Sequence, residues 1–311
     1  MTAILLTGKN GQVGADLELL LQPLGNLVAL DRSRLDLCNP SEIRRIVRQV
    51  HPRIIVNAAA YTAVDKAETE ENVAHAVNAD APTVLAEEAR KIGAILVHYS
   101  TDYVFDGLKQ VPYEENDLTN PLNAYGRTKL AGEIAIRQSG VAHLIFRISW
   151  VYATRGRNFL LTLLRLASQR EELRIVRDQT GTPNWSREIA RATASALHNF
   201  LRESNRWSSL EEVSGTYHMT APGATTWFEF AQAICDEASR TSTDAPWLSA
   251  ATGGRPLMVQ RIHPITSAEY PTPTPRPLYS LLSSERLFHT FGVRLPEWRV
   301  QLHNAFENTH A

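Results

Sequence analysis

The stretch AILLTGKNGQVG at residues 3–14 decides the fold of this chain. Its apolar run, Ala3–Thr7, is typical of a buried strand, and helical spacing begins just beyond it. Three glycines, Gly8, Gly11 and Gly14, lie between the two in a G-x-x-G-x-x-G pattern. Glycines allow a tight turn and let the backbone approach a phosphate group at a helix N-terminus. The stretch therefore predicts a phosphate-binding turn, the alternative being a glycine-rich turn that binds nothing.

Strand and helix patterns alternate through the first half of the chain. Four further apolar runs are typical of buried strands, at residues 26–30, 53–57, 94–99 and 143–148. Continuous apolar strands separated by helices predict a parallel sheet that is covered on both faces. The predicted fold class is therefore α/β, with a doubly wound parallel sheet that binds a dinucleotide.

The length of the chain predicts a second lobe. A chain of 311 residues exceeds what one hydrophobic core usually supports. The regular alternation ends near residue 150. We predict a nucleotide-binding domain at residues 1–150, with contributions from about 174–203. A smaller, mixed α/β substrate lobe would comprise about 151–173 and 204–311.

Composition and charge exclude several classes of protein. The net charge is −1, from 32 basic and 33 acidic residues, so we expect no nucleic-acid partner. The chain has no run of 18 apolar residues, so we expect no membrane partner. Its two cysteines are far apart, and its first residues lack the pattern of a signal peptide. A soluble protein of the cytoplasm is the expectation.

A Y-x-x-x-K pattern, Tyr125 and Lys129, lies on a predicted helix. The spacing places both side chains on one face, one turn apart. The ammonium group should lower the pKa of the phenol from about 10, so that Tyr125 can protonate a carbonyl oxygen while hydride reaches its carbon. Thr101 follows the fourth predicted strand, where the ligand crevice of a parallel sheet opens, and its hydroxyl can orient that carbonyl. The alternatives are an accidental Tyr–Lys pair and a threonine that only caps a loop.

The end of the second predicted strand carries conflicting signals about the cofactor. Asp31 can accept hydrogen bonds from both adenosine ribose hydroxyls, which favours NADH. Arg32 and Arg34 can pair with a 2′-phosphate, which favours NADPH, or they form a solvated loop. Asp36 and Leu37 are placed to contact the adenine. We expect NADPH to be the cofactor, with NADH also accepted.

The chain resembles the dTDP-4-dehydrorhamnose reductase family of the extended short-chain dehydrogenase/reductase superfamily, whose nucleotide-binding domain is of the Rossmann type. The motifs that carry the resemblance are LLTGKNGQVG, VNAAAYTAVDKAE, HYSTDYVFDG, NAYGRTKLAGE, RISWVY, DQTGTPNW and RPLYSLLSSERL. They cover nearly the whole chain. The resemblance implies reduction of the C4 keto group of dTDP-6-deoxy-L-lyxo-4-hexulose to dTDP-L-rhamnose, the last step of dTDP-L-rhamnose biosynthesis.

The resemblance also implies a set of site residues. Cofactor contacts are expected from Gly11, Gln12, Val13, Asp31, Asp36, Leu37, Ala59, Ala60, Tyr61, Tyr99 and Lys129, besides Gly8, Gly14 and Arg32 from the residues alone. Substrate contacts are expected from Thr101, Asp102, Tyr125 and Trp150. Trp150 has a core position between the lobes as its alternative.

Further expectations concern charged residues and a metal. Arg255 and Arg276 can meet the nucleotide diphosphate or be ordinary surface arginines. Some relatives bind Mg²⁺ at a homodimer interface through glutamates, and Glu188 is a conceivable ligand. The sequence alone leaves the metal unknown.

Two other functions stay open at this point. One is an epimerase or dehydratase of a nucleotide sugar with tightly held NAD⁺, although Tyr103 stands where a dehydratase needs a glutamate. The other is a non-catalytic regulatory subunit of the same fold. The intact set of Thr101, Tyr125 and Lys129 argues against a loss of catalysis.

Overall fold

A computed structural model describes residues 2–203, 210–241 and 245–308 of the chain. Twelve strands are present among these residues: β1 (Ala3–Thr7), β2 (Asn26–Leu30), β3 (Ile54–Asn57), β4 (Ile95–Thr101), β5 (His143–Ile148), β6 (Val151–Tyr152), β7 (Glu172–Val176), β8 (Thr180–Gly181), β9 (Asn184–Trp185), β10 (Gly215–His218), β11 (Thr225–Thr226) and β12 (Arg261–Ile265). Residues 204–209, which the domain prediction places in the second lobe, lie outside the described residues.

The same described residues form thirteen α-helices: α1 (Gln12–Leu20), α2 (Pro40–Val50), α3 (Val64–Ala67), α4 (Glu71–His75), α5 (Ala81–Ile92), α6 (Ala124–Ser139), α7 (Phe159–Ala167), α8 (Ser186–Glu203), α9 (Leu210–Val213), α10 (Trp227–Arg240), α11 (Pro246–Thr252), α12 (Glu285–Phe291) and α13 (Trp298–Glu307). A π-helical segment, Ala76–Asp80, joins α4 to α5. None of these helices is both long and apolar enough to cross a lipid bilayer.

The main sheet has six parallel strands in the order β10-β5-β4-β3-β1-β2. One face is covered by α1 and α8, which pack against each other, and the other by α2, α5 and α6. The central strands are buried on both faces, which explains why their sequences are continuously apolar. The predicted α/β fold with a doubly wound parallel sheet is confirmed.

The sixth strand of the main sheet comes from the part of the chain that the domain prediction assigns to the second lobe. β10 pairs with β5, with Gly215 opposite Leu144 and His218 opposite Arg147. Leu287 of α12 also belongs to the apolar core beside the sheet. Both segments therefore pack with the main sheet, although they lie within the 204–311 range that the domain prediction assigns to the second lobe. Chain order alone cannot show this, because β10 joins the sheet only through tertiary contacts.

The second lobe has its own core, formed where α7, α10 and α13 pack together. Phe230 of α10 is fully buried there, between Tyr152 and Trp298. A two-stranded parallel sheet of β7 and β12 lies at the edge of this core. Packed residues of this lobe thus lie opposite the carboxyl ends of the main strands.

Candidate active site

The glycine turn after β1 is built by close backbone packing. Gly8 adopts φ +74°, and a Cβ atom on it would lie 2.7 Å from the Cα atom of Ala59. A Cβ atom on Gly14 would lie 2.0 Å from the Gly8 carbonyl oxygen. The strand order reverses between β1 and β3, so these loops meet at the switch point where doubly wound sheets bind ligands.

A single large cleft opens at this edge of the sheet. Its volume is about 1860 Å³, more than the ~300–1,000 Å³ of an ordinary single-ligand pocket, which leaves room for two ligands side by side. The predicted site residues that line it are Gly8, Gly11, Gln12, Val13, Asp31, Arg32, Asp36, Leu37, Ala59, Ala60, Tyr61, Tyr99, Thr101, Asp102, Tyr125, Lys129 and Trp150. Gly14 is the exception. It is buried below the turn, where it allows the helix to approach the strand, and its contact with a cofactor stays a prediction.

Helix α6 brings Tyr125 to the end of β4. The side chain of Asn123 caps the helix by accepting a hydrogen bond of 2.8 Å from the Gly126 amide. A Cβ atom on Gly126 would lie only 2.2 Å from the Tyr103 carbonyl oxygen. The first turn of α6 can therefore press against the segment after β4, which places Tyr125 beside Thr101.

The environment of Tyr125 corrects the expected pKa. Burial raises the pKa of the phenol above its ordinary value, the nearby carboxyl of Asp102 adds to the rise, and a hydrogen bond with Thr101 opposes it. Sequence spacing predicted a lowering by Lys129 instead. That ammonium group donates its hydrogen bonds elsewhere and does not face the phenol, so the pKa of Tyr125 is not lowered.

The side chain of Lys129 is fixed by two residues of β4. Its Nζ atom donates to the Tyr99 carbonyl oxygen at 2.6 Å and lies 3.2 Å from Nε2 of His98. The Lys129 side chain is 1% exposed, and burial lowers its pKa from 10.5 to about 8. His98 is also buried, which lowers the pKa of its imidazole and keeps the ring neutral.

A row of hydrogen-bonded polar side chains extends from His98 on β4 across β3 to β1. The Asn57 amide lies 3.1 Å from Nδ1 of His98, and Asn57 Oδ1 accepts a hydrogen bond of 2.6 Å from the Thr7 hydroxyl. These side chains are all buried in the centre of the sheet. His98 was not predicted as a site residue, although a histidine within the apolar run AILVHY is unusual and marks the position.

Asp102 lies at the floor of the cleft beside Thr101. It is 2% exposed, and its Oδ1 atom accepts a 3.0 Å hydrogen bond from the Thr101 hydroxyl. Burial raises the pKa of this carboxyl to about 6, against the opposing effect of hydrogen bonds from Ser280 and Thr101. β4 ends at Thr101 rather than at Tyr99, so Thr101 is fixed by the sheet itself.

A π-helical segment fixes the loop after β3. Asn78 of this segment accepts a hydrogen bond from the Tyr61 amide at 2.9 Å and donates one to the Tyr61 carbonyl oxygen at 3.0 Å. The Tyr61 hydroxyl donates to Glu70 at 2.6 Å, which raises the pKa of that phenol to about 12. The backbone of the predicted cofactor loop is therefore rigid where it borders the cleft.

Asp31 lines the cleft at the end where the sequence predicts the adenosine of the cofactor. Its carboxylate accepts hydrogen bonds from the amide and hydroxyl of Ser33, at 3.0 and 2.6 Å, and from the Asn10 amide at 3.2 Å. These bonds, the Ser33 hydroxyl first, lower the pKa of Asp31. Arg32 is exposed and also lines the cleft. Both cofactor signals found in the sequence thus border the same space.

Trp150 lies at the seam between the lobes and also lines the cleft. Its backbone has φ +43°, unusual for a residue other than glycine. Its ring stacks on Trp227, with centroids 3.6 Å apart and planes at 5°. A Cβ atom on Gly181 would lie 2.4 Å from the Trp150 ring, so a glycine is required there. Trp227 was not predicted as a site residue, because its partner Trp150 is distant from it in the chain.

The two arginines considered from sequence differ in placement. Arg276 lines the cleft, and its NH2 group donates to both carboxylate oxygens of Asp65 at 3.0 and 3.1 Å. Arg255 is exposed and does not line the cleft. The ion pair between Arg276 and Asp65 therefore links the second lobe to α3.

A magnesium site is not apparent in the part of the chain that the structure describes. No group of three or more His, Cys, Asp or Glu side chains lies close enough there to hold a metal ion. Glu188 pairs with Arg191 at 2.6 Å. The magnesium ion and the homodimer stay predictions from the resemblance.

Known proteins resemble this chain over its whole length. A family model described as the RmlD substrate binding domain matches residues 1–311. A dTDP-4-dehydrorhamnose reductase of Burkholderia thailandensis is 49% identical over 296 residues, which cover 95% of each chain. The crystal structure of a dTDP-4-dehydrorhamnose reductase from Clostridium acetobutylicum matches with a TM-score of 0.85 at 33% identity, over 98% of each chain. That of dTDP-4-dehydrorhamnose reductase from Bacillus anthracis in complex with NADP matches with a TM-score of 0.84 at 32% identity, over 98% of this chain and 99% of that one. The chain therefore belongs to the dTDP-4-dehydrorhamnose reductase family.

Proposed function

We propose that this chain reduces the C4 keto group of dTDP-6-deoxy-L-lyxo-4-hexulose to the hydroxyl of dTDP-L-rhamnose. The observation that carries the proposal is the meeting of Tyr125, Thr101 and Lys129 in one cleft with the glycine turn. A bound nicotinamide supplies the hydride that reaches C4. The family membership of the chain supports the choice of sugar.

The protein's own residues handle the proton. Thr101, fixed at the end of β4, turns its hydroxyl proton from Asp102 to the keto oxygen of the bound substrate and so orients that oxygen. Tyr125, protonated because burial raises the pKa of its phenol, transfers its proton to the same oxygen as negative charge develops there. Lys129 lies one turn further along α6 and lines the same cleft.

The cofactor cradle fits a dinucleotide. Gly11, Gln12 and Val13 form the N-terminus of α1, and the first turn of this helix has no acidic side chain to repel a pyrophosphate. We propose NADPH as the cofactor and NADH as an accepted alternative, because Asp31 and Arg32 both border the adenosine end. The relative from Bacillus anthracis in complex with NADP supports this choice.

The test is NADPH oxidation with a panel of nucleotide-linked 4-keto-6-deoxyhexoses, followed by the stereochemistry of the product. We expect turnover with the dTDP-linked L-lyxo sugar and an L-rhamno product. Turnover only with another nucleotide or sugar would contradict the proposed substrate. Purification with NAD⁺ that does not exchange, together with isomerisation and no net reduction, would favour an epimerase. A stoichiometric partner enzyme with no turnover on any keto sugar would favour a regulatory subunit.

A further inference from the structure

The loop at residues 155–158 crosses from the second lobe onto the glycine turn. The Asn158 amide donates to the side-chain oxygen of Gln12 at 2.9 Å, and Arg155 donates to the Gln12 carbonyl oxygen at 3.1 Å. Arg155 also pairs with Asp16 of α1 at 2.7 Å. The loop is therefore fastened to the first turn of α1 at several points, and we call it the crossing loop.

Arg157 of the crossing loop differs from Arg155. It is exposed, lines the cleft, and has no ion-pair or hydrogen-bond partner for its guanidinium group within residues 2–203, 210–241 and 245–308. Its neighbour Asn158 donates a hydrogen bond to Gln12. Gly156 lies near the same side chain, because a Cβ atom added to it would lie 3.8 Å from the Gln12 Cγ atom. The crossing loop thus holds an unpaired positive charge beside the N-terminus of α1.

We propose that Arg157 binds the diphosphate of the nicotinamide cofactor from the side opposite the glycine turn. This assignment rests on the proposed function, which brings such a cofactor to the cleft. The amides of α1 offer hydrogen-bond donors to one side of the diphosphate, and a guanidinium group offers a planar pair of donors to the other. Arg155 cannot take this part, because it does not line the cleft and its Nη2 atom is bound to Asp16 and the Gln12 carbonyl oxygen.

A nucleotide sugar also carries a diphosphate, so the test separates the two sources. The dissociation constants of NADPH, NADH and dTDP are measured by calorimetry for the wild-type protein and for Arg157→Gln. The matched control is Arg165→Gln, an exposed arginine on α7 that does not line the cleft. We expect NADPH and NADH to weaken by the same factor, roughly 5- to 20-fold, the lower range for a charged hydrogen bond that water partly screens. The constant for dTDP and all three constants of the control variant should stay unchanged.

Any other pattern of changes in the three dissociation constants overturns the assignment. A loss for NADPH alone would place Arg157 at the 2′-phosphate, and a loss for dTDP alone would place it at the sugar nucleotide. Unchanged constants for all three would show that it binds no diphosphate. A variant Arg157→Lys keeps the charge without the planar pair of donors and should recover part of the affinity. Binding is measured without turnover, so failure of the sugar assay leaves this result intact, whereas a wild-type protein that binds neither nicotinamide nucleotide overturns both proposals.

Discussion

Replacing Lys129 with methionine tests how the fold accommodates a buried ammonium group. Lys129 is 1% exposed, and burial lowers its pKa from 10.5 to about 8. Between pH 8 and pH 10.5, Lys129 therefore carries its proton in a larger fraction of unfolded molecules than of folded molecules. Stability rises with pH wherever the unfolded state holds more protons. The free-energy penalty for burying the charged lysine is thus fully present below pH 8, and it disappears as the pH rises toward 10.5.

The size of the effect follows from the pKa difference. At about 1.4 kcal/mol per pH unit, the penalty is about 3 kcal/mol at pH 7, and about 2 kcal/mol of it is regained by pH 9.5. Methionine has a similar length and no charge, so its stability lacks this dependence. Lys129→Met also removes the hydrogen bonds to Tyr99 and His98, but that loss is nearly the same at both pH values. We therefore expect the unfolding free energy of the wild-type protein, relative to the variant, to rise by about 2 kcal/mol from pH 7 to pH 9.5.

Urea denaturation at pH 7, 8 and 9.5, followed by fluorescence and circular dichroism, measures this difference. The control is Lys66→Met, because Lys66 is exposed and should show no pH-dependent gap. A gap between the wild-type protein and Lys129→Met that stays constant with pH would refute the reasoning, since it would mean that the ammonium group is hydrated in the folded protein. The same variant should lose both turnover and NADPH affinity. A change in sugar affinity alone would contradict the role given to Lys129.

Three further predictions concern other parts of the cleft. Tyr125→Phe should lower kcat by ~10²–10⁴-fold with little change in the NADPH dissociation constant, because only the proton donor is lost; near-normal turnover would reject the assignment. Asp31→Ala should raise the ratio of kcat/KM with NADPH to that with NADH, and an unchanged ratio would count against the ribose contact. Gly14→Ala should lower the free energy of unfolding by ~1–3 kcal/mol or more, because the added Cβ would lie 2.0 Å from the Gly8 carbonyl oxygen, and an unaltered melting temperature would contradict that packing.

The central sheet was predictable because its strands are buried on both faces. β1, β2 and β5 have the bounds that the apolar runs predict. β10 was not predictable in this way. The four residues GTYH contain no apolar run, and their place in the sheet depends on pairing with β5, about 70 residues earlier. A strand that is defined mainly by its partner leaves little trace in its own sequence.

The site shows the same division between local spacing and tertiary contact. The i, i+4 spacing correctly places Tyr125 and Lys129 on α6, and both line the cleft. Spacing says nothing about the groups that face the ammonium, which are the Tyr99 carbonyl and His98 on β4. The direction in which the Tyr125 pKa moves is set by burial and by Asp102, so it could not be predicted from the pattern alone.

Two ionisable groups in the cleft have pKa values displaced toward their neutral forms. The pKa of Asp102 rises to about 6 and that of Lys129 falls to about 8, with burial as the largest cause for each. An ion pair between them would shift both values the other way, because each charge would stabilise the other. The fold therefore keeps an acid and a base buried in one cleft without letting them neutralise each other. This arrangement costs stability, and displaced pKa values of this kind are typical of clefts that bind ligands and catalyse reactions.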